Sequence, residues 1–178
     1  MKADKLIIKI DKISYPIFIG TNLISNLSKI LFKNSIKFEK CLLIIDKKIP
    51  KILINKVKKS FKNKKTYYYL INANEKNKSQ KTVNAILKAL LSKNFSREDC
   101  LITIGGGITG DVGGFAASLF KRGIQFINVP TTLLSQVDSS IGGKTGINSN
   151  FGKNLIGSFY QPKLVVSDID FLKSLPKR

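Results

Sequence analysis

The sequence contains no histidine and no tryptophan, and only two cysteines. Because histidine is missing, these residues supply neither an imidazole acid–base group nor a histidine-containing metal site. Cys41 and Cys100 each begin a short apolar segment, and we interpret both as small core residues in a reducing compartment. The sequence also lacks an apolar run of about 18 residues and a secretory signal, which predicts a cytoplasmic protein without a membrane partner.

Acidic residues are few beside basic ones, and a net charge of +20 is typical of proteins that bind nucleic acid. The charge is unevenly distributed, because residues 1–100 carry a net +16 and residues 101–170 only +1. Only three of the basic residues are arginines, and the rest are lysines. Interfaces with nucleic acid favour arginine, because its side chain makes paired hydrogen bonds. We interpret the excess as compositional drift, with asparagine and isoleucine rising in parallel, and expect no nucleic-acid partner.

The apolar pattern predicts alternating strands and helices. Short apolar runs predict buried strands at residues 41–45, 67–71, 101–104, 124–129 and 164–167. Helical spacing predicts helices at residues 22–31, 49–61, 79–91, 111–120 and 131–137. Residues 5–10 and 14–19 predict a hairpin that turns at Asp11 and Lys12, and residues 139–159 predict a glycine-rich loop. The fold class is therefore α/β, a doubly wound, mostly parallel sheet with an N-terminal hairpin.

Three consecutive glycines follow a predicted strand and precede a predicted helix. Gly105, Gly107 and Gly110 satisfy the G-x-G-x-x-G pattern in the strand-then-helix context of dinucleotide-binding turns. Bare backbone N–H groups at a helix N-terminus hold anionic phosphate. The pattern therefore predicts a phosphorylated cofactor, and the alternative is a tight turn without a ligand.

Two aspartates near predicted strand ends have two interpretations each. Asp111 follows the glycines, where its side chain either serves the ligand or caps the predicted helix. Asp46 ends a predicted strand, where it either accepts hydrogen bonds from a ribose or caps the next helix. The acid expected about 20 residues beyond a dinucleotide-binding turn is absent, since the next one is Asp138.

A second polar stretch, VPTTLLSQVDSSIGGKTGIN, covers residues 129–148. Thr131 and Thr132 stand at a predicted helix start, where hydroxyls either cap the helix or bind a polar ligand. Lys144 follows paired glycines, an arrangement that brings a cation to a phosphate or carboxylate with little steric hindrance.

A third element places Lys153 and Asn154 directly after Gly152. Together with Lys144 and Arg122, these residues lie in the charge-balanced part of the chain. They predict an anion site, and the alternative is a set of solvated surface charges.

Three long motifs resemble the 3-dehydroquinate synthase family. They are GGGITGDVGGFAAS, KRGIQFINVPTTLLSQVDSSIGGKTGIN and GKNLIGSFYQP. The likeness is nearly continuous over residues 101–177 and weaker, but in register, over residues 46–97. Sugar-phosphate cyclases and iron-dependent alcohol and glycerol dehydrogenases are more distant relatives that share the fold but not all three motifs.

The resemblance implies an N-terminal α/β domain that binds NAD and an all-α C-terminal domain that completes the active site. It implies conversion of 3-deoxy-D-arabino-heptulosonate 7-phosphate to 3-dehydroquinate and phosphate, on the pathway to chorismate. In this family NAD transiently oxidises a secondary alcohol of the phosphorylated sugar acid, phosphate is eliminated, the hydride returns and an aldol step closes the ring. A divalent metal, zinc or cobalt, polarises the alcohol and the ketone.

The family's binding residues carry over to this sequence position by position. Those implied to hold NAD are Asp46, Glu75, Lys78, Gly107, Ile108, Thr109, Gly110, Asp111, Thr131, Thr132, Lys144, Lys153, Phe171, Leu172, Lys173 and Ser174. Those implied to act on the substrate are Asp138, Lys144, Lys153, Asn154 and Arg122. Arg122 matches an arginine that reaches the neighbouring subunit's site, which implies a homodimer. Asn74 stands where the family has a glycine before Glu75, and asparagine also tolerates positive φ.

The family's metal ligands, one glutamate and two histidines, have no counterpart in this sequence. The resemblance places all three beyond Arg178, the glutamate shortly after it and both histidines further on, in an all-α domain that is missing here. We expect an NAD-binding domain over residues 1–170 and the start of a connection over residues 171–178, without full catalysis by this chain alone. The alternatives are a decayed or stand-alone NAD-binding domain and a related sugar-phosphate cyclase or polyol dehydrogenase.

Overall fold

A computed structural model describes residues 3–11 and 13–176 of the chain. Within them the strands are β1 (Ala3–Ile10), β2 (Ile13–Gly20), β3 (Lys40–Asp46), β4 (Lys65–Ile71), β5 (Cys100–Gly105), β6 (Gln125–Pro130), β7 (Lys144–Ser149), β8 (Gly152–Phe159) and β9 (Leu164–Asp168). The α-helices are α1 (Leu27–Lys33), α2 (Lys51–Ser60), α3 (Gln80–Ser92) and α4 (Gly107–Leu119).

Seven of these strands form one sheet in the order β1-β2-β9-β6-β5-β3-β4. Neighbouring strands are parallel except β1 and β2, which form an antiparallel hairpin. The predicted doubly wound, mostly parallel sheet with its N-terminal hairpin is confirmed. The chain runs outward from β3 to β4 and then returns to place β5 and β6 on the other side of β3. The strand order therefore reverses between β3 and β5.

Helices cover both faces of the sheet because the central strands are apolar on both faces. On one face α1 and α2 pack on alternate strand residues such as Leu43 and Ile102. On the other face α3 and α4 pack on the residues in between, such as Ile44 and Leu101. Each helix follows a strand, so its N-terminus lies at the carboxyl edge of the sheet.

The two cysteines occupy opposite positions on β3 and β5. Cys41 and Cys100 are free and fully buried, which confirms their interpretation as core residues. Burial raises the pKa of Cys41 to about 12 and the pKa of Cys100 well above its ordinary value. Neither thiol is therefore a nucleophile at neutral pH.

Two predicted helices differ from the structure. The helix predicted over residues 22–31 is split into a 3-10 helix at Ile24–Asn26 and the separate helix α1. The helix predicted over residues 131–137 is one short turn that continues as a π-helix at Ser135–Ser139.

Burial of β4 is also predicted wrongly. This strand is at the edge of the sheet, where Tyr68 and Leu70 are 41% and 53% exposed. Its run of aromatic and aliphatic residues resembles a buried strand, but among the described strands β3 alone pairs with it.

The predicted glycine-rich loop over residues 139–159 is largely a second hairpin, made by β7 and β8. Gly146 and Gly157 face each other in this hairpin, and a Cβ on Gly157 would overlap the Thr145 carbonyl oxygen. The glycines therefore permit close strand pairing here rather than ending it, which is why their number misleads a loop prediction.

A few predictions fall at the limits of the described chain. Lys12 of the predicted hairpin turn lies outside the described residues, as do Lys177 and Arg178 of the predicted connection. A 3-10 helix, Ile169–Ser174, follows β9, and a domain boundary near residue 170 stays a prediction. Among the described helices, none has the length and apolar character needed to cross a membrane.

Candidate functional site

The carboxyl edge of the sheet gathers most of the predicted binding residues at the point where the strand order reverses. The pairing of Ile45 with Ile104 places Asp46 beside Gly105 at the ends of β3 and β5. In open α/β sheets, ligands bind in the crevice at such a reversal. The fold therefore places the predicted ribose acceptor next to the predicted phosphate loop.

The glycine segment forms the first turn of α4, which starts four residues earlier than predicted. Gly106 is the N-cap residue, and no side chain caps this end of the helix. The backbone N–H groups of Gly107 and Ile108 donate to no acceptor within the described chain. Two donors thus point out of the end of a helix of 13 residues, where the helix dipole favours an anion.

Thr109 adds a buried polar atom to the same turn. Its hydroxyl has no hydrogen-bond partner among the described residues. A Cβ on Gly105 would overlap this side chain, so the strand end and the helix start are packed as tightly as glycine allows. An unsatisfied buried hydroxyl calls for an explanation, and a polar ligand supplies one.

Neither aspartate caps a helix. Asp46 Oδ1 accepts the backbone N–H of Lys48 at 3.1 Å in a local turn, and α2 begins only after Pro50. Asp111 is the fifth residue of α4, too far along the helix to be its N-cap. The capping interpretation of both residues is wrong, while their cofactor roles stay predictions.

Thr132 caps the short turn that follows β6. Its hydroxyl accepts the Ser135 backbone N–H at 3.3 Å, and the Ser135 hydroxyl accepts the Thr132 N–H at 3.0 Å. This reciprocal arrangement is a capping box, so the capping interpretation holds for Thr132. Thr131 is buried, and its backbone N–H donates to the Gly105 carbonyl oxygen at 3.0 Å, which ties this turn to the end of β5.

Lys78 joins three segments that are distant in sequence. Its ammonium group donates to Asp111 Oδ2 and to Asn154 Oδ1, each at 2.5 Å. The Lys78 side chain is 8% exposed and that of Asp111 is 22% exposed, so this ion pair is largely shielded from water. Asn154 holds φ at +59°, a left-handed conformation that asparagine tolerates better than most residues.

The two carboxyl groups near Lys78 are perturbed in opposite directions. Burial raises the pKa of Asp111, although the Lys78 ammonium opposes that effect. A hydrogen bond from the Asn148 amide lowers the pKa of Glu75, with smaller contributions from Lys153 and Lys78. Lys153 Nζ lies 3.8 Å from Glu75 Oε2, and both side chains are mostly exposed.

A cleft of about 660 Å³ opens between the start of α4 and the β7–β8 hairpin. Asp111, Asp138, Lys144 and Asn154 all line it, which brings four predicted site residues to one cavity. Paired glycines precede Lys144, and Gly142 and Gly143 have φ values of +88° and +68° that favour glycine. Anionic and cationic side chains thus face a space large enough for a small polar ligand.

Two groups of predicted residues lie away from this cleft. Arg122 is exposed just beyond the C-terminal end of α4, at the opposite edge of the sheet. Phe171 is buried in the core, and Lys173 forms an exposed ion pair with Asp170. Leu172 and Ser174 complete the same 3-10 helix and do not line the cleft.

The sequence pattern missed three polar residues of the hairpin side. Thr145 and Ser158 line the cleft and share a 3.1 Å hydroxyl contact across the two strands. Asn148 bonds to Glu75, Lys78 and Asn154. Lys144–Ser149 shows no regular alternation of polar and apolar residues, so the local pattern contains no signal that would have predicted this strand.

Three comparisons relate this geometry to known proteins. The family model for the N-terminal part of 3-dehydroquinate synthase matches residues 68–178. The 3-dehydroquinate synthase of Pelagibacter ubique (strain HTCC1062) is 60% identical over 174 residues, covering 98% of this chain and 47% of that protein. The chain spans about half the length of the curated relatives it matches.

Two solved structures share the fold over nearly the whole chain. The 2-deoxy-scyllo-inosose synthase complexed with carbaglucose-6-phosphate, NAD+ and Co2+ has a TM-score of 0.89 at 26% identity, covering 98% of this chain and 48% of that chain. A 2-epi-5-epi-valiolone synthase from Streptomyces hygroscopicus subsp. jinggangensis 5008, with NAD+ and Zn2+ bound, has a TM-score of 0.82 at 26% identity. It covers 96% of this chain and 47% of that chain.

Proposed function

The chain belongs to the 3-dehydroquinate synthase family, and from this premise we propose that it is the NAD-binding part of such an enzyme. The proposed reaction converts 3-deoxy-D-arabino-heptulosonate 7-phosphate to 3-dehydroquinate and phosphate, toward chorismate. The observation that carries the proposal is the start of α4. There, two backbone N–H groups without partners lie beside Asp46, where the strand order reverses.

The described residues fit NAD at three points. The Gly107 and Ile108 N–H groups would hold the pyrophosphate, as helix N-termini do for anions. The Asp46 carboxylate, which accepts one hydrogen bond from the described chain, would accept the hydroxyls of the adenosine ribose. The unpartnered Thr109 hydroxyl fits a polar ligand at the same turn. The remaining proposed contacts are Glu75, Lys78, Gly110, Asp111, Thr131, Thr132, Lys144, Lys153, Phe171, Leu172, Lys173 and Ser174.

The cleft side of the site would bind the substrate. NAD, when bound, supplies a hydride acceptor and later a hydride donor for a secondary alcohol. The Lys144 ammonium lines the cleft and would attract the substrate's phosphate or carboxylate, while Asp138 would accept hydrogen bonds from its hydroxyls. The Lys78 ammonium has three N–H donors, and two of them are used by Asp111 and Asn154. One N–H therefore remains for a ligand. Lys153 and Asn154 complete the proposed contacts.

The metal is a different case from NAD. Co2+ and Zn2+ accompany NAD+ in the two related synthases. Residues 3–11 and 13–176 contain no group of three His, Cys, Asp or Glu side chains close enough to hold such an ion. The described residues therefore do not fit a metal ion, and no metal-dependent step is assigned to them.

A homodimer in the cytoplasm is the remaining part of the proposal. Arg122 is separated from the start of α4 by the length of that helix, on the order of 20 Å at 1.5 Å per residue. It would therefore serve a neighbouring molecule's site rather than its own. The free, buried thiols of Cys41 and Cys100 fit a reducing compartment.

Discrimination between NAD and NADP tests the cofactor assignment. A carboxylate at the ribose accepts hydroxyls and repels the 2′-phosphate of NADP. We expect Asp46→Ala to weaken NAD binding about tenfold or more and to narrow the preference for NAD over NADP, because a charge-assisted hydrogen bond is lost. Calorimetric titration measures the dissociation constants for NAD and for NADP. Asp4→Ala, at an exposed position of β1, is the matched control. An unchanged preference in Asp46→Ala would contradict the ribose role.

A chimera tests the proposed reaction. This chain would replace the corresponding half of the Pelagibacter ubique synthase, to which it is 60% identical. We expect the chimera to release phosphate from 3-deoxy-D-arabino-heptulosonate 7-phosphate in the presence of NAD and zinc or cobalt. A folded chimera that binds NAD but releases no phosphate would contradict the catalytic part of the proposal.

A further inference from the structure

Asn148, a residue of β7, uses every polar atom of its side chain to connect the β7–β8 hairpin with the 75–78 segment. Its amide Nδ2 donates to Glu75 Oε2 at 2.8 Å and to the Glu75 carbonyl oxygen at 3.3 Å. Its Oδ1 accepts the backbone N–H of Asn154 at 3.1 Å. Its own backbone N–H donates to the Lys78 carbonyl oxygen at 2.8 Å. One residue of β7 thus contacts both ends of the 75–78 segment and the start of β8.

These bonds close a ring with the ammonium of Lys78. Asn148 fixes the backbone of Asn154, whose side chain accepts the Lys78 ammonium. Lys78 then reaches Asp111 on the first turns of α4. A shift of Asn148 would therefore move Asn154, Lys78 and Glu75 together, although Asn148 itself does not line the cleft.

We propose that Asn148 is a positioning residue that holds the 75–78 segment and the β7–β8 hairpin in one geometry for cofactor binding. This inference rests on the proposed function, because it concerns the same NAD site. Asn148 acts through Glu75, Lys78 and Asn154 rather than by touching the cofactor. It was not among the residues that the sequence singles out.

The partners of Asn148 explain why its effect should be larger in binding than in stability. Glu75 is largely exposed, and Asn148 is only half-buried at the rim of the site. Hydrogen bonds between exposed groups contribute little to the free energy of unfolding, because water replaces them. The same bonds decide where the cofactor-facing groups are held, so their loss weakens a preorganised site.

The variant Asn148→Asp tests this role with almost no change in size. It keeps the oxygen that accepts the Asn154 N–H but replaces the donor to Glu75 with a second carboxylate oxygen. We expect NAD binding to weaken about tenfold in a variant that urea unfolding shows to be still folded, with a smaller loss of stability because two carboxylates now face each other. Asn63→Asp is the matched control, because it adds the same charge at an exposed turn between α2 and β4.

A second substitution should rescue the first. Glu75→Gln alone keeps an acceptor for Asn148, and in combination with Asn148→Asp it supplies a donor to the new aspartate. We expect the double variant to bind NAD within about threefold of Glu75→Gln alone, because the hydrogen bond is restored with its direction reversed. If Asn148 acted independently of Glu75, the two penalties would add, and that result would overturn the proposal.

A readout without NAD separates this inference from the proposed function. The Glu75 carboxyl faces Asn148, Lys153 and Lys78, and the Asn148 amide is the main cause of its lowered pKa. NMR titration of that carboxyl should show its pKa rising in Asn148→Asp and unchanged in Asn63→Asp. If the wild type binds NAD and Asn148→Asp binds it as well as the control, this inference alone fails. If the folded wild type binds no NAD, both proposals fail.

Discussion

The sheet edge and the β7–β8 hairpin form the two sides of the candidate site, and different forces hold them. The sheet edge is built on strands buried on both faces, with Leu43, Ile44 and Ile102 fully inaccessible. The hairpin exposes most of β8 and adds one fully buried residue, Ile147, to the core, while polar bonds through Lys78 and Asn148 hold its cleft side. Apolar burial fixes the phosphate-binding turn, whereas hydrogen bonds and one shielded ion pair place the substrate-facing groups.

Gly113→Ala should have the largest effect on stability, because Gly113 lies where α4 packs directly against the sheet. The new Cβ would overlap Thr103 Cγ2, and Thr103 cannot rotate without breaking its 2.9 Å bond to Asn128. We expect the free energy of unfolding to fall by about 3 kcal/mol, because overpacking outweighs the gain of alanine over glycine in a helix. Gly114→Ala is the matched variant on the hairpin side, where the Cβ would lie 2.5 Å from Thr145 Cγ2.

Thiol labelling distinguishes these two variants. Cys41 and Cys100 are buried in the sheet, so they react only when it opens. Labelling should be faster in Gly113→Ala than in Gly114→Ala, whose Cβ overlaps Thr145 of the hairpin and approaches the Phe126 ring of β6 only to 3.1 Å. Equal acceleration in both variants would contradict the separation between sheet and hairpin.

Lys78→Met tests the ion pair that joins the two sides. Its removal leaves Asp111 in a largely shielded position without a counter-ion, and we expect a loss of about 2 kcal/mol in the free energy of unfolding. Lys173→Met is the control, because its ion pair with Asp170 is exposed on the lysine side and should contribute much less to the free energy of unfolding. Urea unfolding measures the loss of stability in both variants. Equal losses would show that the shielded ion pair stabilises the fold no more than the exposed one.

The effect of Lys78→Met should depend on pH. Burial raises the folded-state pKa of Asp111, so the folded state keeps this proton to higher pH than the unfolded state does. The group's contribution to stability is therefore present at low pH and is lost as the pH rises through the folded pKa. Lys78 limits that loss by stabilising the charged form. We expect Lys78→Met to be more destabilising near pH 7 than near pH 4, and the opposite order in urea unfolding would contradict this assignment.

Asn154 provides the smallest test, confined to the hairpin. Asn154→Ala and Asn154→Gly both remove the oxygen that Lys78 contacts, but only alanine is strained at φ +59°. We expect the alanine variant to open the hairpin more easily by about 1 kcal/mol, the cost of a left-handed conformation. Amide hydrogen exchange of β7 and β8 measures that difference. Identical exchange in the two variants would mean that the backbone of Asn154 is unstrained.

The same comparison explains what the sequence predicts well. β3 and β5 were predicted correctly because strands buried on both faces are continuous apolar runs, and Gly105 and Gly107 mark where such a strand meets a helix. The edge strand β4 contains a similar run, but Tyr68 and Leu70 face solvent, and only the sheet order shows this.

The hairpin side could not be predicted from local pattern. Its glycines indicate a loop, while the structure uses Gly146 and Gly157 for close strand pairing. The contact between Lys78 and Asp111 joins residues 33 positions apart, and that between Lys78 and Asn154 joins residues 76 apart. Such contacts depend on how elements pack, so only the resemblance to a family grouped these residues beforehand.

The most direct test of the central claim is an NMR titration of the folded chain with NAD, following the backbone amides of Gly107 and Ile108. Both amides should shift with saturation as NAD is added, because their N–H groups would bind the pyrophosphate. Adenosine, which carries no phosphate, should leave them in place. A chain that binds NAD without moving these two amides, or that is folded and does not respond to NAD, would contradict the account.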